Sequence, residues 1–320
     1  MKLNSYFNHV PDLTTRRAFW KIQEGINDLD LNIVQGETYY VENNAGSDTN
    51  DGKTWDTAFK TLAVAIAANN ANIALSSKTF AARNRIFYKG DPSLATGVTN
   101  LVAFPDKCDV IGVGSYDANT KPRIIGRHVP VNAGNYGTRF INIWFSAIAH
   151  ASPIVTLAST SSGIQFIGCT FDGSVGTVTG AILATASPFL KVIDCDIFGS
   201  FATNYIAFGT GESAGTVVEG CWMHGSAGLG ISTVTGTTSS YETLIKNNII
   251  STTSTGLCID DEANGSTGIL YLVGNKFMNA ATLTNYAGYT GIINPNIARC
   301  VDNICMGADV SMRVPKLVVA

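Results

Sequence analysis

The chain has 320 residues, 45% of them apolar and 14% charged, with 32 glycines and a formal net charge of −3. Such a length and composition suffice for one large core or two smaller ones and exclude a disordered chain; the low charge lacks the basic footprint of a duplex nucleic-acid binder. Seven cysteines, an odd number, fit a reducing compartment better than a disulfide scaffold.

The first residues, "MKLNSYFNHVPDLTTRRAFWKIQ", carry no apolar h-region behind Lys2. No stretch reaches the roughly 18 apolar residues of a membrane span; the nearest, "LAVAIAANNANIAL" at 62–75, is interrupted by Asn69, Asn70 and Asn72. The expectation is therefore synthesis in a cytoplasm without export, and no membrane insertion. Within residues 1–37, Asp12 or Thr14 can cap a helix in which Phe19, Ile22, Ile26 and Leu29 follow 3-4-3 spacing beside Trp20. Two heptads do not make a coiled coil by themselves, so this segment reads as an anchoring or oligomerisation arm.

Residues 39–68, "YYVENNAGSDTNDGKTWDTAFKTLAVAIAA", read as a strand, a Gly-Ser-Asp turn, a Trp and a short amphipathic helix. Asp48, Asn50, Asp51 and Gly52 echo a calcium loop, but the bidentate Glu of an EF-hand is missing. A turn held by Asx hydrogen bonds is the better reading.

Further on, the chain repeats. "IGCTF", "IDCDI", "EGCWM", "IKNNI", "VGNKF" and "VDNIC" place Cys169, Cys195, Cys221, Asn247, Asn275 and Asn303 in one column, in steps of 26, 26, 26, 28 and 28 residues; "FINIW" adds Asn142. Residues two positions to either side are mostly apolar, such as Ile167 and Phe171, and four positions on come small or turn-tolerant types such as Gly173, Gly199 and Gly225. A period of two followed by a turn at a fixed offset argues for a β-solenoid rather than a helical repeat. One coil of about 26 residues holds three short strands, and coils stack about 4.8 Å apart.

This pattern resembles the right-handed parallel β-helix of the pectin-lyase-like proteins over roughly residues 38–310, and the 39–68 segment looks like the opening of many such domains in bacteriophage tail and surface proteins. The resemblance implies an all-β, single-stranded right-handed parallel β-helix of eight or nine coils, of 26–28 residues each, a capping helix near 57–68 and a tail at 311–320. Phe59, Leu62, Ala63 and Ile66 are spaced to face the open end, which needs a cap against edge pairing.

The cysteine column has three readings. Zinc needs ligands that converge tetrahedrally, which parallel side chains in a straight column do not do. A disulfide needs a dihedral that side chains pointing the same way lack. An internal ladder of Asn142, Cys169, Cys195, Cys221, Asn247, Asn275 and Asn303 is preferred, with no metal and no cofactor. If the column and the positions two away point inward, positions one and three further on point outward. That sets Phe198, Trp222, His224 and Asn248 on a surface suited to packing against a second copy or to stacking a sugar. Glu219 breaks an otherwise apolar inward column, and a bulge that turns it outward is expected.

The pectin-lyase-like resemblance also raises polysaccharide cleavage, for which carboxyl pairs are required. "IDDE" at 259–262 and "MHG" at 223–225 are similar to polygalacturonase motifs, but here the His motif comes first, the Asn-Thr-Asp motif is absent, and "LIKN" has Leu where the family has Arg. Asp194, Asp196, Asp260 and Asp261 remain weak catalytic candidates. The first expectation is a structural protein on the surface of a bacteriophage particle, as capsid decoration, head fibre or tail spike. It would be a rigid rod, a homotrimer anchored to other virion proteins through residues 1–37, with host surface glycan as a candidate ligand. The alternatives are a tailspike polysaccharide depolymerase and a bacterial surface adhesin.

Overall fold

A computed structural model describes residues 36–75, 82–90, 100–114, 121–131, 135–175, 178–209, 211, 214–233, 243–252, 257–260, 270–279, 297–306 and 311–313. The expected arm residues Phe19, Trp20, Ile22, Ile26 and Leu29 lie outside this set, as do Asp261 and Glu262.

Among the described residues the chain forms a parallel β-solenoid with three main sheets and a two-stranded pair, Asn135–Tyr136 with Ser161–Ser162. Sheet A has ten strands, from Thr38–Glu42 to Ile297–Val301; sheet B has nine; sheet C has five. In a complete coil a strand of sheet A turns a corner into sheet B and then sheet C, and over these coils pairing keeps one register: Phe140, Phe166, Val192, Val218 and Ile245 stand above one another. Among the described residues five coils carry strands on all three sheets, so the expected eight or nine are not all complete. Ser311–Arg313, placed in the tail by the sequence, pairs antiparallel with Ile304–Met306 and ends sheet B.

The interior is a stack of like on like. Phe140 lies on Phe166 (ring centroids 5.5 Å, planes 11° apart), Phe145 on Phe171 (5.2 Å, 11°), and the two stacks meet edge to face. A side chain repeated at one position thus supplies offset-stacked aromatic contact between coils as well as burial.

The helix, α1 (Leu62–Ile73), buries Leu62, Ala65, Ile66, Asn69 and Ile73 against the first coils. It starts five residues later than expected. The segment near Phe59 is held extended, with Phe59 N–H donating to the Tyr40 carbonyl and Glu42 N–H to that of Phe59. Asp48 then defines the start: Oδ1 accepts from Lys60 N–H (3.0 Å) and Thr61 N–H (2.8 Å), and Oδ2 from the Thr61 hydroxyl (3.0 Å). Asp51 accepts from Lys53 N–H and the Thr57 hydroxyl. Both carboxylates of the calcium-like loop therefore serve the turn and the helix start.

The corner between sheets A and B corrects the ladder. Asn142, Gly168, Asp194, Gly220, Asn247, Gly274 and Asp302 all have φ between 51° and 68°, the left-handed region that Gly, Asn and Asp tolerate best. Asn142 and Asn247 therefore belong to the turn, and the inward column is Ile143, Cys169, Cys195, Cys221, Asn248, Asn275 and Asn303. The left-handed residue also breaks the alternation. Side chains three before the column, such as Phe166, point in, and those two before it, such as Ile167 and Ile193, are half-buried on the outside. Glu219 is outward for this reason, with no bulge in its strand pairing, and its carboxylate meets Lys246 Nζ at 2.7 Å.

The column repeats one hydrogen bond. Cys169, Cys195 and Cys221 donate through Sγ to the carbonyls of Phe140, Phe166 and Val192 at 3.3–3.4 Å. Asn248, Asn275 and Asn303 donate through Nδ2 to Val218, Ile245 and Leu272, each at 2.9 Å. Each asparagine Oδ1 additionally accepts the backbone N–H of the preceding coil: Cys221, Asn248 and Asn275. The cysteines Cys108, Cys169, Cys195, Cys221 and Cys258 form no disulfide. Burial holds the Cys195 thiol well above its ordinary value, and the adjacent sulfurs push the same way.

Candidate functional site

On the outer face of sheet B, strands Asp196–Ser200 and Trp222–Ser226 lie in register, pairing Asp196 with Trp222 and Phe198 with His224. All four side chains face outward because the neighbouring positions, Ile197 and Met223, are buried. The indole of Trp222 is 53% exposed, enough to leave a broad apolar surface in water.

The four side chains form one ordered assembly. Trp222 and His224 stack with centroids 4.0 Å apart and planes at 24°; Phe198 covers His224 at 5.7 Å and 21°. His224 Nε2 meets Asp196 Oδ1 at 2.9 Å, so the carboxylate fixes the imidazole between the two aromatic rings. Further down, Trp144 lies 6.5 Å from Phe198 and carries the Arg123 guanidinium over its ring at 4.8 Å. Arg123 in turn donates to the Ser146 hydroxyl at 2.6 Å and lies 3.7 Å from the Asp172 carboxylate. The strip thus has a cationic end at Arg123 and an acidic, aromatic end at Asp196 and Trp222.

The corner flanks the acidic end. Asp194, Gly220 and Asn247 are exposed there, one per coil. A Cβ on Gly220 would lie 2.2 Å from Asp194 Oδ1, and one on Gly274 2.5 Å from Asn247 Oδ1. Each polar side chain thus lies over the glycine of the next coil, and only glycine leaves it that room.

Asn248, expected on this face, is buried in the ladder. Asp260 ends a sheet C strand, Leu257–Asp260, on a different face from Asp194 and Asp196 and is not brought together with them, and Asp261 lies outside the described residues. Sequence reasoning missed Asp172, Arg123 and the role of Trp144; their signal was the same outward positions two, four and three coils before Trp222, respectively. Among the described residues no group of three His, Cys, Asp or Glu side chains is placed to hold a metal ion.

No family model matches the sequence. No curated protein matches it either. Among solved structures the chain is similar to a rhamnogalacturonan lyase, at 12% identity over 77% of this chain and 75% of that one, with a TM-score of 0.42.

Proposed function

We propose that the chain is a structural protein displayed on a bacteriophage particle, a rigid rod whose outer sheet B face recognises host surface glycan. The observation that carries the recognition half is the exposed Trp222 held upright by His224, Phe198 and Asp196 on a face that stacked coils keep rigid. Aromatic side chains with adjacent carboxylates suit a ligand that is apolar on its ring face and hydroxylated at its rim. The phage setting is supported by the likeness of residues 39–68 to the opening of phage β-helices. In this reading residues 1–37 anchor the rod to other virion proteins, the rod is a homotrimer, and it is made in the host cytoplasm. Sizing and imaging with and without residues 1–37 tests it: a trimer with or without the arm, attached to particles only with it, is expected. A full-length chain that is monomeric and does not attach would sink the proposal.

A second reading, a polysaccharide depolymerase, is favoured by the Asp196–His224 contact, which has the geometry of an acid–base pair. It requires new reducing ends or unsaturated sugars to be released from host capsule or lipopolysaccharide, and that release to vanish in Asp196→Asn. The structural reading expects neither product.

A further inference from the structure

We infer that the corner by which sheet C returns to sheet A is a separate binding groove for an anionic sugar unit, one that carries a carboxylate or a phosphate. It lies on another face from the Trp222 strip and does not rest on recognition there.

A strained aromatic marks the place. Lys107, Gly137, Gly163, Phe189 and Gly215 stand one per coil at this corner, all in the left-handed region with φ of 46–67°. Glycine adopts it freely, whereas a bulky residue is held there at a cost of about 1–3 kcal/mol. Phe189 is nonetheless 56% exposed, so burial does not offset that cost. Its ring lies against Gly215, where an added Cβ would come within 2.5 Å of Cδ1. The corner on the other side is open. Among the described residues a Cβ on Gly163 would meet only the Gly137 backbone, at 3.5 Å, and one on Gly137 only Arg83 Nη1, at 3.8 Å. The two glycines thus floor a shallow groove that Phe189 closes at one end. The exposed Tyr136 and the half-buried Ser162, paired in register, form one wall.

The other wall is basic. In the register of sheet A the outward line beside the corner reads Arg85, Asp109, Arg139, Gln165 and Lys191. Arg83 joins it, donating through Nε to Asp109 Oδ1 at 2.8 Å, while Arg139 donates to the same carboxylate through Nε at 2.6 Å and Nη2 at 2.5 Å. One carboxylate cannot balance two guanidiniums, and Lys191, two coils beyond Arg139, forms no ion pair among the described residues. On a chain of net charge −3 this wall is a local excess of positive charge. An anionic group supplies the missing counter-charge. Gln165 and Ser162 offer hydrogen bonds to hydroxyls on opposite sides of the floor, and Phe189 and Tyr136 offer apolar faces to ring carbons. A neutral sugar forgoes the charge, and a simple anion forgoes the rings.

Three variants separate this from packing. Phe189→Gly restores the residue type of its corner neighbours, Gly163→Asn fills the floor with a residue that tolerates this φ, and Lys191→Glu reverses a charge at the rim. Full-length protein is titrated by calorimetry with oligogalacturonate, with phosphorylated mannan oligosaccharide and with neutral mannan oligosaccharide, at low and raised salt. Binding of an anionic probe that weakens with salt is expected, and the preferred probe identifies the anion. Each variant should weaken that binding by about fivefold or more, with the unfolding midpoint of Phe189→Gly unchanged or raised. Trp222→Ala should leave it unchanged. Anionic binding that is lost in Trp222→Ala but intact in all three corner variants would overturn the groove and leave recognition on sheet B standing. No binding of either anionic probe would overturn it too, as would a Phe189→Gly protein that melts lower with its binding intact.

Discussion

At the residue scale the ladder asparagines do more than the cysteines they replace. Asn275 donates to Ile245 and Asn303, and accepts from the backbone and side-chain amides of Asn248, the four partners lying at 2.8–3.0 Å. Removing it strands several buried polar groups, so Asn275→Ala should cost about 2–4 kcal/mol of unfolding free energy in urea melts. Asn275→Cys should cost less, since a thiol can still reach the Ile245 carbonyl as Cys221 reaches that of Val192. His128 makes a different demand. It is fully buried and accepts the Leu101 N–H through Nδ1, and burial pushes its pKa down to about 3. The unfolded imidazole, at 6.5, takes up a proton that the folded one refuses. Stability is therefore full above pH 6.5 and declines as pH falls toward 3, by about 1.4 kcal/mol per unit from this group. Urea midpoints at pH 7 and pH 4.5 should differ less in His128→Gln than in the wild type.

At the element scale the strands are short, many only three residues, and gain stability from neighbours above and below rather than from length. The helix is the exception, because its first turn has no acidic residue of its own and its start is held by a carboxylate 13 residues upstream. Asp48→Ala should therefore lower the unfolding midpoint, by about 1–2 kcal/mol as for the loss of a helix cap, with Asp48→Asn recovering part. Differential scanning calorimetry reads both. The corners are elements too. The left-handed residue between sheets A and B puts outward side chains on both flanks, with Ile167, Ile193 and Glu219 on one side of the corner and the Trp222 strip on the other.

At the scale of the whole molecule, parallel coils in one register turn each position of the repeat into a line along the axis. Inside, such lines make the aromatic and amide ladders. Outside, they make strips, of which the one from Arg123 to Trp222 changes from cationic to acidic along its length. A rigid strip of this kind suits an extended ligand with its own repeat, the property that polysaccharide recognition exploits, and it suits a rod better than a deep pocket.

How much of this could be read in advance differs by feature. The solenoid was legible because strand alternation and a fixed turn recur every 26 to 28 residues, and nothing except stacked coils satisfies both. The composition of the ladder was legible in Cys169, Cys195, Cys221, Asn275 and Asn303. Its phase was not legible at "FINIW" and "IKNNI", where an asparagine stands at the turn position and spacing alone cannot choose between neighbours one residue apart. The outward face of Ile167, Ile193 and Glu219 was also hidden, since side-chain alternation holds only within a strand and one left-handed residue resets it. The local pattern along the chain thus determined the repeat, its strands and the chemical types that recur. Which residues meet, as Phe198 meets His224 and Asp194 lies over Gly220, was decided only by the stacking of coils, because those contacts join positions a full turn of the solenoid apart.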